Sequence, residues 1–530
     1  MMFAYSLKKS ELTAKRLDPS FYSPEQIVNE KKLSALFSEP LESLRIEDAP
    51  IVYGILKPEG TSEGLYRVAK AEKFQGMFVD SDDCDEVSKT VYESFKRSVA
   101  KTGDVLIAIG GYVGRPAILN VKSGANCNIN RHISRVRVDS SKIDPYYLVV
   151  FLSSRHGQKR LERQITGSVQ AGINLEDLRE VHVSLFEKAT QKYIGDKVRQ
   201  AEQLRAWAKL CLDSARNKLS ENLTRFAPNT YCELQGKDGS LTVCVKSKEI
   251  DDRLDSWFYK AEFTKSKRVL MELEDNGIST KPLKSIGTVE YGFMPLEDYW
   301  SPCEGHQFLR VTNIKENLIV DSGDVKFVNP VESNAPKYRL KEGDIVVVQL
   351  GNSTGRIAYI SSKYENWAYP SFALRVRLSN NSGFDSGYTS LFLSEVLGQN
   401  QILRTISITS VRPNTTKPAI ESIAIPELSI EEQQIIGTWI REMTAANENA
   451  TALISSSKTL VEALIEGQIT EQQLIQAQQA LDDGDNSLDQ AILSKLSGEG
   501  YGIANATPLF SDIDELYRLL ESATQAEAEE

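Results

Sequence analysis

The sequence predicts an α+β chain: two mainly β modules separated by two long antiparallel coiled-coil helices, related by a pseudo-twofold internal repeat. Three observations predict it. A collinear series of short motifs recurs at an offset that drifts only from 237 to 243 residues. Each copy carries short β-branched runs bounded by Gly, Asn or Pro, the pattern of strands between turns. Each copy is followed by a long stretch with apolar residues every third or fourth position, the pattern of a helical seam.

The repeat comes first because missing it would misread the whole chain. Arg16-Leu17-Asp18 with Phe21-Tyr22 returns as Arg253-Leu254-Asp255 with Phe258-Tyr259. Tyr53-Gly54 returns as Tyr291-Gly292. Lys101-x-Gly103-Asp104 and its apolar run return as Lys341-x-Gly343-Asp344 and IVVV. Gly114-Arg115 returns as Gly355-Arg356, and Arg135-Val-Arg-Val138 as Arg375-Val-Arg-Leu378. One such match is chance; an ordered series is a duplicated module. DVLIAI, ISRVRV, DIVVVQL and FALRVRL read as core strands, with short helices at 145–163 and 385–404. Arg135, Arg137, Arg375 and Arg377 alternate with Val or Leu and read as a strand's solvent face.

The first long helix is expected over about 187–223, on Ile194, Val198, Ala201, Leu204, Ala208, Cys211, Ala215, Leu219 and Leu223. The second is expected over about 430–467, on Ile436, Ile440, Met443, Ala450, Leu453, Ser457, Leu460 and Leu464, with Ser429-x-x-Glu432 as a capping box. Ile194-Gly195 matches Ile436-Gly437 and Arg199 matches Arg441, so the helices are repeat copies too. Some 37 helical residues at 1.5 Å each give a strut of roughly 55 Å. The resulting division is 1–186 first module, 187–226 first helix, 227–250 linker, 251–428 second module, 429–467 second helix and 468–530 an acidic helical extension.

At 530 residues the chain exceeds one ordinary core, and two or three domains are expected. The N-terminal MMFAYSLKKS leads into polar residues with no apolar run of signal-peptide kind, and no run of about 18 apolar residues predicts a membrane span. The six cysteines are scattered without a CxxC pair, which points to reduced thiols, a cytoplasmic location and neither a zinc site nor a disulfide framework. The net charge of −11 is misleading for partner choice. Residues 468–530 hold 13 of the 73 acidic and two of the 62 basic residues, so 1–467 is neutral, with 60 of each. A neutral body can present a local basic groove to phosphate.

With these motifs in place, the chain resembles the specificity subunit of type I restriction–modification systems over about residues 10–467. The carriers are the RLDxxFY starts, the KxGD–strand–GR segments, NINRH at 128–132, and the module endings TGSVQAGINLEDLREVHV and TSVRPNTTKPAIESIAIPEL. The resemblance implies two target-recognition domains, each reading half of a split double-stranded DNA site. It also implies two docked copies of an adenine-specific DNA methyltransferase, with room for a restriction/translocase subunit. No cofactor is expected in this chain. S-adenosylmethionine belongs on the partner methyltransferase, and ATP with Mg on a restriction subunit. The first ending lacks the family's proline-rich approach, having Leu185-Phe186-Glu187, and the extension 468–530 is not a usual family feature.

An enzyme reading has little support. Asp144-Pro145-Tyr146-Tyr147 is similar to a short adenine-methyltransferase motif but precedes an apolar helix, where Asp144 reads as a cap and Pro145 as the first turn. Gly110-Gly111-Tyr112-Val113-Gly114 and 351–355 lack the lysine and hydroxyl of a phosphate loop. The four histidines include no HExxH pair. The alternatives to a specificity subunit are an adaptor of a defence complex that binds DNA without reading it, and a fused methyltransferase or nuclease.

DNA contact needs Arg and Lys on phosphates and forked side chains on base edges. The candidates are Arg115, Arg131, Lys159, Arg163 and Gln170 in the first module, and Arg356, Arg404, Arg412 and Lys417 in the second. Arg115 and Arg356 recur at equal positions, which favours a phosphate or structural role. Trp207 and Trp439 flank the helical seam as candidate partner contacts. In the extension, Ile469, Leu474, Ala477 and Leu481, then Leu488, Ala491, Ile492 and Leu496, then Ile513, Leu516, Leu519 and Leu520 predict three short helices with one buried face.

Overall fold

A computed structural model describes residues 16, 18–55, 65–167, 171–236, 245, 250, 253–302, 304–406 and 413–529. The chain forms two compact units. One holds residues 1–204 and 449–524, the other 205–448 and 525–530. The two long helices, Lys188–Phe226 and Ile430–Glu466, are shared between the units: the first unit holds the start of one and the end of the other, and the second holds the remainder of each. Every seam position expected from the sequence is buried, including Ser457. Ser429 caps the second helix, accepting the Glu432 amide at 3.3 Å while its hydroxyl donates to the Glu432 carboxylate.

In the first unit a five-stranded sheet runs Val52–Tyr53, Ile133–Val136, Val105–Ala108, Pro116–Asn120, Phe78–Asp80. A four-stranded sheet (Asp85–Glu86, Tyr66–Ala69, Asn126–Ile129, Val99–Ala100) lies beside it. In the second unit the main sheet has four strands: Gly287–Tyr291, Ala373–Leu378, Ile345–Val348, Ile357–Tyr359. The duplicated hairpin keeps its register. Val105 faces Val136 and Ala108 faces Ile133 in one copy; Ile345 faces Val376 and Val348 faces Ala373 in the other.

The KxGD motif has a specific task in both copies. Asp104 is almost fully buried, accepts the Lys101 amide at 2.8 Å and takes both forks of Arg137 at 2.7 and 2.6 Å. Asp344 repeats this with the Lys341 amide at 2.8 Å and Arg377 at 2.7 and 2.6 Å. A buried carboxylate with three hydrogen bonds spread over both oxygens can be retained in a core; left unpaired it could not. This corrects the expectation that the four strand arginines form a solvent face. Arg135 and Arg375 are buried and donate to backbone carbonyls, at Val99 and Pro50 in one copy and at Lys337 and Arg339 in the other. Alternation with valine mimics an exposed face when the acidic partner lies 33 residues earlier.

Each expected module helix is two helices: Pro145–Ser153 with Arg155–Arg163, and Ser386–Ser394 with Val396–Arg404. The breaks bring Gly157 against the Phe151 carbonyl and Gly398 against the Phe392 carbonyl, where a Cβ would collide. The stretch expected as a linker begins with a helix, Pro228–Gln235. It is held to Ala261–Asp275 by Asn229 and Thr230 donating to the Glu272 carboxylate.

The extension forms Glu471–Asp482, Ser487–Leu493 and Ile513–Glu529. Thr470 and Gln473 make a capping box at the start of the first of these helices. The second stripe is displaced from expectation. Leu488 is 44% exposed and Ala491 is exposed, while Asp489, Ile492 and Leu493 are buried. A carboxylate sets that helix's rotation because it has a buried cation to meet, described below.

Candidate nucleic-acid interface

One edge of each module gathers three loops. In the first unit these are the glycine loop after Ala108, the corner before Ile133, and the backbone at Thr166 and Gly172–Ile173. The Ile109 amide donates to the His132 carbonyl at 2.8 Å, the Ile173 amide to the Ile109 carbonyl at 3.0 Å, and Gly110 bridges Gly172. In the second unit the Gln349 amide donates to the Phe372 carbonyl at 2.9 Å. The Thr415 amide donates to the Gln349 carbonyl at 3.1 Å, and the Gly351 amide to the Pro413 carbonyl at 3.1 Å. Gly114 and Gly355 sit at φ of +85° and +91°, which a side chain rarely adopts, so both loops turn at the same place.

The backbone of this edge is duplicated; its side chains are not. Tyr112, 51% exposed, stands where the second module has Ser353. Arg131 is exposed and its Nε donates to His132 Nε2 at 3.0 Å, where the second module has Ser371 and a 45% exposed Phe372. A guanidinium and an imidazole suit guanine or phosphate acceptors, whereas an apolar ring suits a thymine methyl. Tyr112 and Phe372 are absent from the sequence-based candidates because those are cations and a forked amide, which leaves aromatic rings aside. Their signal is a register position whose chemistry differs between copies.

The other candidates divide. Arg115 donates to the Phe74 carbonyl at 3.1 Å and lies 5.4 Å from the Tyr112 ring centroid; Arg356 faces Glu316 at 3.4 Å. Lys417 opens the helix Lys417–Glu421, its ammonium 3.7 Å from Glu290 and 3.8 Å from Glu421. Lys159 lies 3.3 Å from Glu25 and lines a cavity of about 300 Å³ with Lys32, Arg155, His156 and Glu466. Gln170 and Arg412 lie outside the described residues.

Arg163 and Arg404, expected from the sequence to meet DNA, hold the RLDxxFY starts. Arg163 lies 3.8 Å over the Phe21 ring and donates to the Phe21 carbonyl at 3.1 Å. Arg404 lies 3.6 Å over the Phe258 ring and donates to the Phe258 carbonyl at 3.1 Å. Arg16 and Arg253 reach the same rings, at 5.0 and 4.9 Å. Sequence cannot show this, because stacking partners 142 and 146 residues apart leave no local trace.

The module-to-helix joints are twins as well. Asp144 caps its helix through the Tyr146 and Tyr147 amides and takes Arg199 at 2.5 Å. Asp385 caps through the Tyr388 amide and takes Arg441 at 3.0 Å. Gln191 and Gln433 accept the Asp144 and Asp385 amides, each at 3.0 Å. Gly195 and Gly437 leave room for those carboxylates. Trp207 and Trp439 are half-buried, and they are not counterparts: the 242-residue offset of the helices pairs Trp439 with Lys197 and Trp207 with Asn449. Among the described residues no cluster could hold a metal ion, and no helix is long and apolar enough to cross a membrane.

Comparison with known proteins meets this picture at the first module. Residues 55–206 match the type I restriction modification DNA specificity domain. The chain is 30% identical over 177 residues to the EcoBI specificity subunit of Escherichia coli, covering 33% of this chain and about a third, 35%, of that one. It is 21% identical over 361 residues to the EcoKI specificity subunit of Escherichia coli K12, covering 64% of this chain and 69% of that one. The solved S subunit from M. genitalium is 14% identical with a TM-score of 0.41, over 81% of this chain and 94% of that one. The match places a type I restriction modification DNA specificity domain over residues 55–206, which span most of the first copy of the duplicated module and the start of its seam helix.

Proposed function

We propose that this chain reads a bipartite double-stranded DNA site, one half per module, and docks methyltransferase subunits through its long helices. The observation that carries the reading is the loop edge: two copies of one backbone with different side chains at matching positions. Duplicated scaffolds with unlike contact residues recognise unlike half-sites, so the site is not a palindrome. Helices roughly 55 Å long exceed a turn of duplex at about 3.4 Å per base pair, so a run of unread pairs separates the halves. The catalytic groups belong to partners: an adenine-specific methyltransferase carrying S-adenosylmethionine, and a restriction subunit using ATP and Mg where one joins. Two helix copies offer two docks, for two methyltransferase copies.

Exchanging residues 1–186 for those of another family member tests the reading. The methylated sequence then changes in one half-site only. A change in both halves, or in neither, overturns it.

A further inference from the structure

The two long helices begin alike but are not covered alike. On the first, Tyr193 and Lys197 are completely buried by the chain's own extension. Asp489, 1% exposed, accepts the Lys197 ammonium at 2.7 Å and the hydroxyls of Tyr193 and Tyr517. The Glu471 carboxylate accepts the Glu187 amide at 2.6 Å, and Lys192 reaches Asp482 at 2.8 Å. Burying an ammonium is costly without a counter-ion and further hydrogen bonds; the extension supplies both, so this contact is built rather than incidental. On the second helix the counterparts of Tyr193 and Lys197 are Ile435 and Trp439. Ile435 is 44% exposed and Trp439 half-buried, an open apolar face in the place the extension fills on the first helix.

Identical partner copies present identical surfaces. One such surface cannot match both an open Ile435–Trp439 face and a face already occupied by helices 471–482 and 487–493. The covered copy also shows what this face accepts: short amphipathic helices laid across its first turns. We propose that residues 468–530 are a built-in occupant of one of two equivalent partner docks. The first methyltransferase copy places a helical, apolar surface on the Ile435–Trp439 face. The second copy binds only where the extension gives way at Asp489. This rests on the docking role proposed above, and makes assembly sequential instead of symmetric.

The test titrates the purified methyltransferase subunit of the same system onto the full chain, with stepwise affinities from calorimetry and copy number from native mass spectrometry. The two steps are expected to differ by at least about tenfold beyond the statistical factor. Asp489→Lys, which sets a cation against Lys197, and removal of 468–530 are each expected to bring the steps together by strengthening the second. Trp439→Asp with Ile435→Asp should remove the tight step. Equal steps in the full chain overturn the proposal. So does an unchanged gap once hydrogen exchange shows the extension released by Asp489→Lys. If the helix-face variants leave both steps intact, the docking role itself falls; if they abolish the tight step while the gap survives release of the extension, the occupied dock alone falls.

Discussion

The two modules agree where they meet their own scaffold and differ where they meet solvent. Asp104–Arg137 and Asp344–Arg377 match to a tenth of an ångström, and the caps Asp144 and Asp385 sit on the same joint with the same arginine partner. One strand-end corner carries Arg131 and His132 in one copy, Ser371 and Phe372 in the other. Selection for a fold acts on groups that are buried and fully bonded, because their loss costs several kcal/mol. Exposed loop tips can change without that cost. The comparison therefore separates residues that build a module from residues available to give it a preference.

The strongest way to break the comparison is to cut the buried pair. Asp104→Ala and Asp344→Ala each leave a guanidinium without its carboxylate, and each is expected to destabilise its own unit by about 3–5 kcal/mol, read by denaturant unfolding. A small effect in either copy would mean the pairs are not equivalent. A second difference is sharpened by acid. His156, buried against Asn29, is pushed down to about 4 by burial and by the nearby Arg155, from an ordinary 6.5. The folded state keeps it neutral while the unfolded chain takes a proton below about 6.5, so the first unit loses stability as pH falls from about 6.5 to 4, by up to about 3 kcal/mol. The second unit has Leu397 at that position, so its acid dependence comes instead from His306, which burial and the nearby Arg339 hold below its ordinary value. Segment-resolved hydrogen exchange across that range checks both, and His156→Leu should flatten the first.

Next come the joint glycines. A Cβ at Gly437 would run into the Asp385 carboxylate, which is pinned by Arg441 and the Tyr388 amide, whereas one at Gly195 would lie 2.9 Å from Asp144 Oδ1. Gly437→Ala is expected to cost about 2 kcal/mol, and Gly195→Ala under about 1, since alanine's helix preference offsets most of the milder contact; thermal melts of the two variants should rank them so. The smallest effect belongs to the edge. Phe372→Ala should leave stability unchanged and weaken discrimination by about 1 kcal/mol in the second half-site alone, seen by sequencing methylated sites from a random library. An equal change in both halves would mean that this corner does not read bases.

What the sequence made legible follows from the range of each interaction. The seam residues Ile194 to Leu223 announce a helix because their partners recur every turn, and the repeat announces itself because both copies retain the same capping and turn residues. The expected caps Asp144 and Ser429 are local for the same reason. Arg163 and Arg404 were legible as cations but not as ring-stacked ties to Phe21 and Phe258. The rotation of Ser487–Leu493 follows from Lys197, which no stripe in that segment encodes.

That last pair is 292 residues apart in the chain, and the separation has a consequence for how the protein is made. Synthesis at about 5–20 residues per second leaves Lys197 without Asp489 for roughly 15 to 60 s after it is added. Residues 205–448 emerge as one uninterrupted block and can fold as they appear. The earlier-made unit must wait for 449–524, which are made after that block. A ribosome that stops early therefore releases a finished second unit beside a first one with a raw helix face, and the portion translated first is the portion completed last.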